Sequence, residues 1–74
     1  MNFTVRLYER DEHGRFWPEG QYTFDTRSKA VTSLKGYIAD GHSGIVTTPE
    51  KLVTFGGMSQ SEALRVSPVK VIEV

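Results

Sequence analysis

Two histidines and the acids beside them are the first residues of this chain that could do chemistry. His13 and His42 each follow an aspartate by two positions, Asp11 and Asp40. Imidazole and carboxylate together suit a divalent metal or a proton relay. The two pairs fall in different loops and lack the i,i+4 spacing that sets ligands on one helix face. They read as exposed turn residues, and no metal site is expected. Gly41-His42-Ser43-Gly44 carries a serine among glycines, but a nucleophile elbow needs G-x-S-x-G on a strand-to-helix turn. Here Ile45 stands where the last glycine belongs, and the local order is helix to strand. Phe55-Gly56-Gly57-Met58-Ser59 lacks the lysine and the glycine spacing of a phosphate loop. The remaining carboxylates are scattered, with nothing to set two of them across a cleft for acid–base work. The chain is therefore expected to be no enzyme and to need no cofactor.

Binding chemistry is better represented. Gly14-Arg15-Phe16-Trp17-Pro18-Glu19-Gly20 puts the only tryptophan next to a phenylalanine and brackets both with glycines. Upstream, Arg6, Tyr8 and Arg10 alternate on one side of a predicted strand. Tyrosine, tryptophan and arginine are the side chains enriched at the centres of protein interfaces. Basic residues interleaved with aromatics also suit a nucleic-acid face. The candidate partner-binding residues are thus Arg6, Tyr8, Arg10, Arg15, Phe16 and Trp17.

These residues must be positioned by a small scaffold. Seventy-four residues are read as one domain spanning 1–74, with 38% hydrophobic residues and no cysteine. Stability must come from an apolar core rather than from disulfides or a cysteine-held zinc. No apolar leader is visible at the N-terminus and no run approaches ~18 apolar residues, so a cytoplasmic protein without a membrane span is expected. Nine basic and nine acidic residues cancel, which leaves no overall basic excess for tracking phosphates.

Phe3, Val5 and Leu7 alternate with polar residues as a half-buried strand does. Asp11-Glu12-His13-Gly14 suits a type I turn closed by a glycine bulge, and the chain returns as a second strand from Arg15 to Phe24. With Glu12-His13-Gly14 as the loop, Tyr8 faces Pro18 and Glu9 faces Trp17. Uninterrupted pairing would turn Tyr22 and Phe24 outward. A one-residue slip at Pro18-Glu19-Gly20 returns them to the side of Val5 and Phe3, so a bulged strand is predicted. Trp17 shares the Leu7 face and is expected in the core. Phe16 shares the Tyr8 face, where an interface role and simple packing are equally open.

Asp25 or Thr26 caps a helix whose apolar stripe is Ala30, Val31, Leu34 and Ile38, stopped by Gly41 in a left-handed cap. Gly36 inside it suggests a close approach to the sheet. Short strands follow at Gly44–Thr48 and Leu52–Phe55, then Ala63–Val66 as a hairpin mate, then Val69–Val74. The last is apolar on both faces, with Ile72 and Val74 free to meet a second copy. The order reads β-β-α-β-β-β, an α+β domain with one helix on a mostly antiparallel sheet.

Tyr22-Thr23-Phe24-Asp25-Thr26, with Ala30 four residues on, resembles the strand-to-helix junction of AP2-like and integrase arm-type DNA-binding domains. That resemblance implies a three-stranded sheet laid in the major groove and backed by a helix, with the first hairpin touching DNA. It covers nine residues, and this chain departs from it by placing only two strands before the helix. The favoured reading is a small non-enzymatic protein whose partner is another protein, met through a sheet edge or the aromatic face of the first hairpin. Short, motif-free, cysteine-free chains are commonly phage or mobile-element accessory proteins that bind and inhibit host machinery, and the same is expected of this one. Self-association through an unpaired strand edge is a further expectation.

Overall fold

The computed structural model describes residues 2–73. Six elements follow in order: β1 (Phe3–Arg10), β2 (Phe16–Phe24), α1 (Arg27–Ala39), β3 (Ser43–Thr47), β4 (Leu52–Gly56) and α2 (Gln60–Val66). The strands form one antiparallel sheet in the order β2-β1-β3-β4. The fold is α+β, as expected, but its order is β-β-α-β-β-α, with a helix on each face of the sheet.

The first hairpin has the predicted register. Arg10 pairs with Phe16, Glu9 with Trp17 and Tyr8 with Pro18, and the register then shifts so that Leu7 pairs with Gly20. Glu19 is the extra residue. Proline and glycine flank it because the bulge needs no regular ladder bond there. The slip sets Tyr22 opposite Val5 and Phe24 opposite Phe3. At the turn, Gly14 takes φ +77°, and the Asp11 carboxylate accepts the amides of His13 and Arg15, both at 2.9 Å.

Helix α1 starts at Thr26, whose hydroxyl accepts the Lys29 amide at 3.2 Å. It ends in paired bonds from Gly41 N–H to Ile38 O and from His42 N–H to Tyr37 O, with Gly41 at φ +93°. That pattern is the Schellman cap, which glycine permits without strain. Its apolar side buries Ala30 and Leu34 against Val5, Leu7, Val46 and Val53.

Gly36 does not mark the close approach. A side-chain carbon built there meets nothing within 4 Å, whereas one built on Gly44 of β3 would stand 2.6 Å from Leu34 Cδ1 and 2.9 Å from the carbonyl oxygen of Arg6. The sheet, not the helix, gave up its side chain. Gly56 pairs with Gly44 and makes the same room for Ile38.

The C-terminal third departs most from expectation. Ala63–Val66 is not a strand but part of α2. Ser59 Oγ accepts the Glu62 amide at 3.2 Å and Glu62 Oε1 accepts the Ser59 amide at 2.9 Å, a complete capping box. The Ser59-x-x-Glu62 spacing was the sequence signal for it. Lys70 then turns back so that its ammonium donates to the carbonyls of Leu64 and Ser67, closing the other end of the helix.

Val69–Glu73 is not a full strand either. One parallel bridge joins Ile72 to Leu52, with Leu52 N–H donating to Val71 O at 2.7 Å and Glu73 N–H to Leu52 O at 2.9 Å. Ile72 is half-buried against β4 in this bridge, and Val74 lies outside the described residues. Glu73 fixes this tail by ion pairs to Arg27 at 2.6 Å and Lys51 at 3.3 Å.

Candidate partner-binding surface

The aromatic face of the first hairpin is largely occupied by the chain itself. Alternation along β1 turns Tyr8 away from α1, and Phe16 faces the same side from β2. There they join Ile45, Leu52 and Ala63 in a second core beneath α2, with Phe55, Met58, Leu64 and Val66 at its margin. Tyr8 is 8% exposed, and its hydroxyl donates to Val66 O at 3.3 Å. Burial pushes the Tyr8 phenol above its usual pKa, partly countered by Arg6 nearby, so it remains a donor. The Phe16 ring meets Tyr8 edge to face, with centroids 6.4 Å apart.

Arg10 completes that arrangement. Its guanidinium lies 4.3 Å above the Phe16 ring and grips Glu62 through two bonds of 3.0 and 3.3 Å. Glu62 is at once the reciprocal cap of α2 and the acid that ties α2 to the end of β1. Its carboxyl is lowered to about 2, first by Arg10 and then by the Ser59 amide. Tyr8, Phe16 and Arg10 therefore hold α2. The cue missed in the sequence was the amphipathic Ala63–Val66 segment, which needed just such an aromatic floor.

Trp17 is corrected in the other direction. It shares the face of Leu7, as the alternation requires, but α1 covers that face only as far as Leu7. Glu9 beyond it is exposed, and Trp17, opposite Glu9, is 56% exposed. Its indole N–H donates to Asp11 Oδ2 at 2.8 Å, which holds the ring against the hairpin turn. That bond, followed by the amide of Arg15, keeps the Asp11 carboxyl below its ordinary range. Tyr22, the next large side chain on the same face, is 46% exposed and stacks on Tyr37 of α1, with centroids 5.8 Å apart and planes 9° apart. It lies on the helix side but at the rim rather than in the core.

The two edges of the sheet differ. The β4 edge carries the Val71–Glu73 tail at Leu52. The β2 edge carries nothing among the described residues, and from Gly20 to Phe24 it presents Gln21, Tyr22 and Thr23 with no charge. An edge strand points half of its backbone amides and carbonyls away from the sheet. On its α2 side lie Arg6, bonded to Gln21 at 2.7 Å, and a groove of about 430 Å³ framed by His13, Arg15 and Arg65 over Phe16 and Val66.

The histidines do not meet. His42 reaches Glu19 at the β2 bulge at 2.8 Å, whereas His13 lies 3.5 Å from Glu12 in the hairpin turn. No cluster of three or more His, Cys, Asp or Glu side chains occurs among the described residues, and no described helix is long and apolar enough to cross a membrane. The junction that resembles AP2-like and integrase arm-type domains folds as a strand followed by a capped helix. Its sheet, however, has four strands, and the face away from α1 is partly taken by α2, because Tyr8, Phe16 and Ile45 give that helix an apolar floor. Comparison with protein-family models, with curated proteins and with solved structures finds no match.

Proposed function

We propose that this chain is a small non-enzymatic binding protein that takes a protein partner by strand addition along β2. The observation that carries this reading is the asymmetry of the sheet. The C-terminal tail covers the β4 edge at Leu52 and α2 covers one face of the hairpin. Among the described residues β2, the longer edge strand at nine residues, is open along its length and bears Trp17 and Tyr22. Strand addition draws affinity from main-chain hydrogen bonds and selectivity from pockets for alternate side chains. Two large aromatics on one side of the edge supply such contacts. Pro18 and the bulge limit the pairing to Gly20–Phe24, which guards against indiscriminate edge-to-edge association.

The test is capture of a partner from the source organism by the intact chain, compared with the W17A/Y22A double variant. Loss of the captured protein, with an amide spectrum unchanged beyond β2, the Asp11–Arg15 turn and the surroundings of Tyr37, supports the reading. Recovery of the same protein in equal yield by the double variant overturns it.

A further inference from the structure

The arginines on the α2 side of the first hairpin carry information about the partner. Three of them, Arg6, Arg15 and Arg65, form no ion pair among the described residues. Arg6 uses one N–H on Gln21, while its Nε is buried without a hydrogen-bond partner. A guanidinium has five donors in a planar fork that matches a carboxylate, so most of this one's capacity is unused. Arg15 and Arg65 frame one groove with His13. Of the nearby acids, Glu62 is taken by Arg10 and Asp11 partly offsets Arg15, whose amide it accepts. A chain with no net charge thus keeps Arg6 and Arg65, and part of the Arg15 charge, without an ion-pair partner among the described residues on the α2 side of the hairpin.

Their spacing fits an extended chain. Arg6 pairs across the ladder with Gln21, and Arg10 with Phe16, the floor of the Arg15–Arg65 groove. The two positions are four residues apart on β1, or roughly 13 Å at about 3.3 Å per residue. On β2 the same stretch, Phe16 to Gln21, holds the extra bulged residue Glu19. An extended segment paired to Gly20–Phe24 and running on unpaired past the bulge therefore spans it with residues i and i+4, which point to the same face.

We propose that the segment added to β2 carries acidic side chains on its α2-side face, with carboxylates near i and i+4 meeting Arg6 and the Arg15–Arg65 groove. The residues between them are apolar and meet Trp17 and Tyr22 on the opposite face. This inference rests on the strand-addition reading and gives it a chemistry: an extended protein segment that alternates acidic and apolar residues. A nucleic acid would also be drawn to arginine, but phosphate tracking calls for a basic excess that this chain lacks. Nor would it use the backbone edge beside those arginines.

Two blocked ten-residue peptides test it on the intact, isotope-labelled chain. One alternates threonine or valine with glutamate, and the other has lysine in place of each glutamate. The glutamate peptide should shift the backbone amides of Gly20–Phe24 and the Nε–H signals of Arg6 and Arg15. It should bind about tenfold more tightly than the lysine peptide, as expected for two partly exposed ion pairs. Arg6→Gln combined with Arg15→Gln should erase that preference, and Lys35→Gln on α1 should not. Equal shifts of the same amides by the lysine peptide would overturn the acidic partner and leave strand addition standing. A glutamate peptide that leaves Gly20–Phe24 unmoved at millimolar concentration would overturn strand addition, and this inference with it. A ten-nucleotide single-stranded DNA that outcompetes the glutamate peptide for Arg6 and Arg15 would overturn the choice of a protein segment.

Discussion

Two glycine-to-alanine substitutions should change stability in opposite directions, and their signs follow from where α1 meets the sheet. At Gly36 an added methyl meets nothing within 4 Å and the backbone is ordinary helix. Alanine there removes the entropy cost of a helical glycine and should stabilise the protein by about 0.5–1 kcal/mol. At Gly44 the same methyl would sit 2.6 Å from Leu34 Cδ1, 2.9 Å from Arg6 O and 3.1 Å from Leu7 Cδ2. Leu34 is 2% exposed and has little room to give, and the Arg6 carbonyl belongs to the neighbouring strand. Overpacking of this kind costs typically 1–3 kcal/mol. For a domain of this size 1 kcal/mol moves Tm by roughly 4–8 °C. Gly36→Ala should therefore melt roughly 2–8 °C higher than the parent and Gly44→Ala at least about 4 °C lower. Thermal and urea unfolding followed by circular dichroism measure both. A destabilised Gly36→Ala, or a neutral Gly44→Ala, would mean that α1 does not lie on the sheet as described.

Other outcomes follow from the same contacts. Ser59→Ala removes half of the capping box and should cost about 1 kcal/mol in urea unfolding, with Ser61→Ala as a neutral control. Glu62 and Asp11 both have carboxyls held below their unfolded values, so the stability they contribute is present above those values and is lost as pH falls through the folded ones. For Glu62 that window runs from the ordinary 4.5 down to about 2, and Arg10→Gln should move the loss to higher pH in an acid-unfolding titration. Emission from Trp17, the only tryptophan, should change as Asp11 is protonated at acid pH. Asp11→Asn should abolish that step, and an unchanged titration would argue against the indole–carboxylate bond.

Much of the N-terminal half was legible because its signals are local. Alternation in Phe3–Leu7, the Asp11–Gly14 turn and the length of β2 together fix the register. The slip at Pro18-Glu19-Gly20 follows from requiring Phe24 to face inward. Thr26 and Gly41 mark the ends of α1 by their own side-chain and backbone chemistry. The C-terminal half depends on tertiary context. Val66 suits a strand, but Ala63, Leu64 and Arg65 are good helix formers preceded by the Ser59–Glu62 capping box. A seven-residue helix is marginal alone, and the aromatic floor of Tyr8 and Phe16, with Arg10 on Glu62, holds it. Val69–Glu73 has the composition of a strand, yet Pro68 and the ties of Lys70 and Glu73 leave it one bridge long. Trp17 was misplaced because alternation assigns a face but not how far a helix covers it. Of the six candidate residues, Tyr8, Phe16 and Arg10 hold α2, Arg15 and Trp17 are exposed on the hairpin, and Arg6, half-buried on β1, reaches across to Gln21 of β2.

Amide hydrogen exchange on the intact chain, free and then bound to a captured partner, tests the central claim most directly. In the free chain Leu52 and Glu73, whose amides are bonded across the β4 edge, should be protected, while alternate amides within Gly20–Phe24 should exchange rapidly. Partner binding should slow those β2 amides and leave α2 unchanged. Protection that appears on α2 or on the β4 side, with β2 still exchanging freely, would contradict the account.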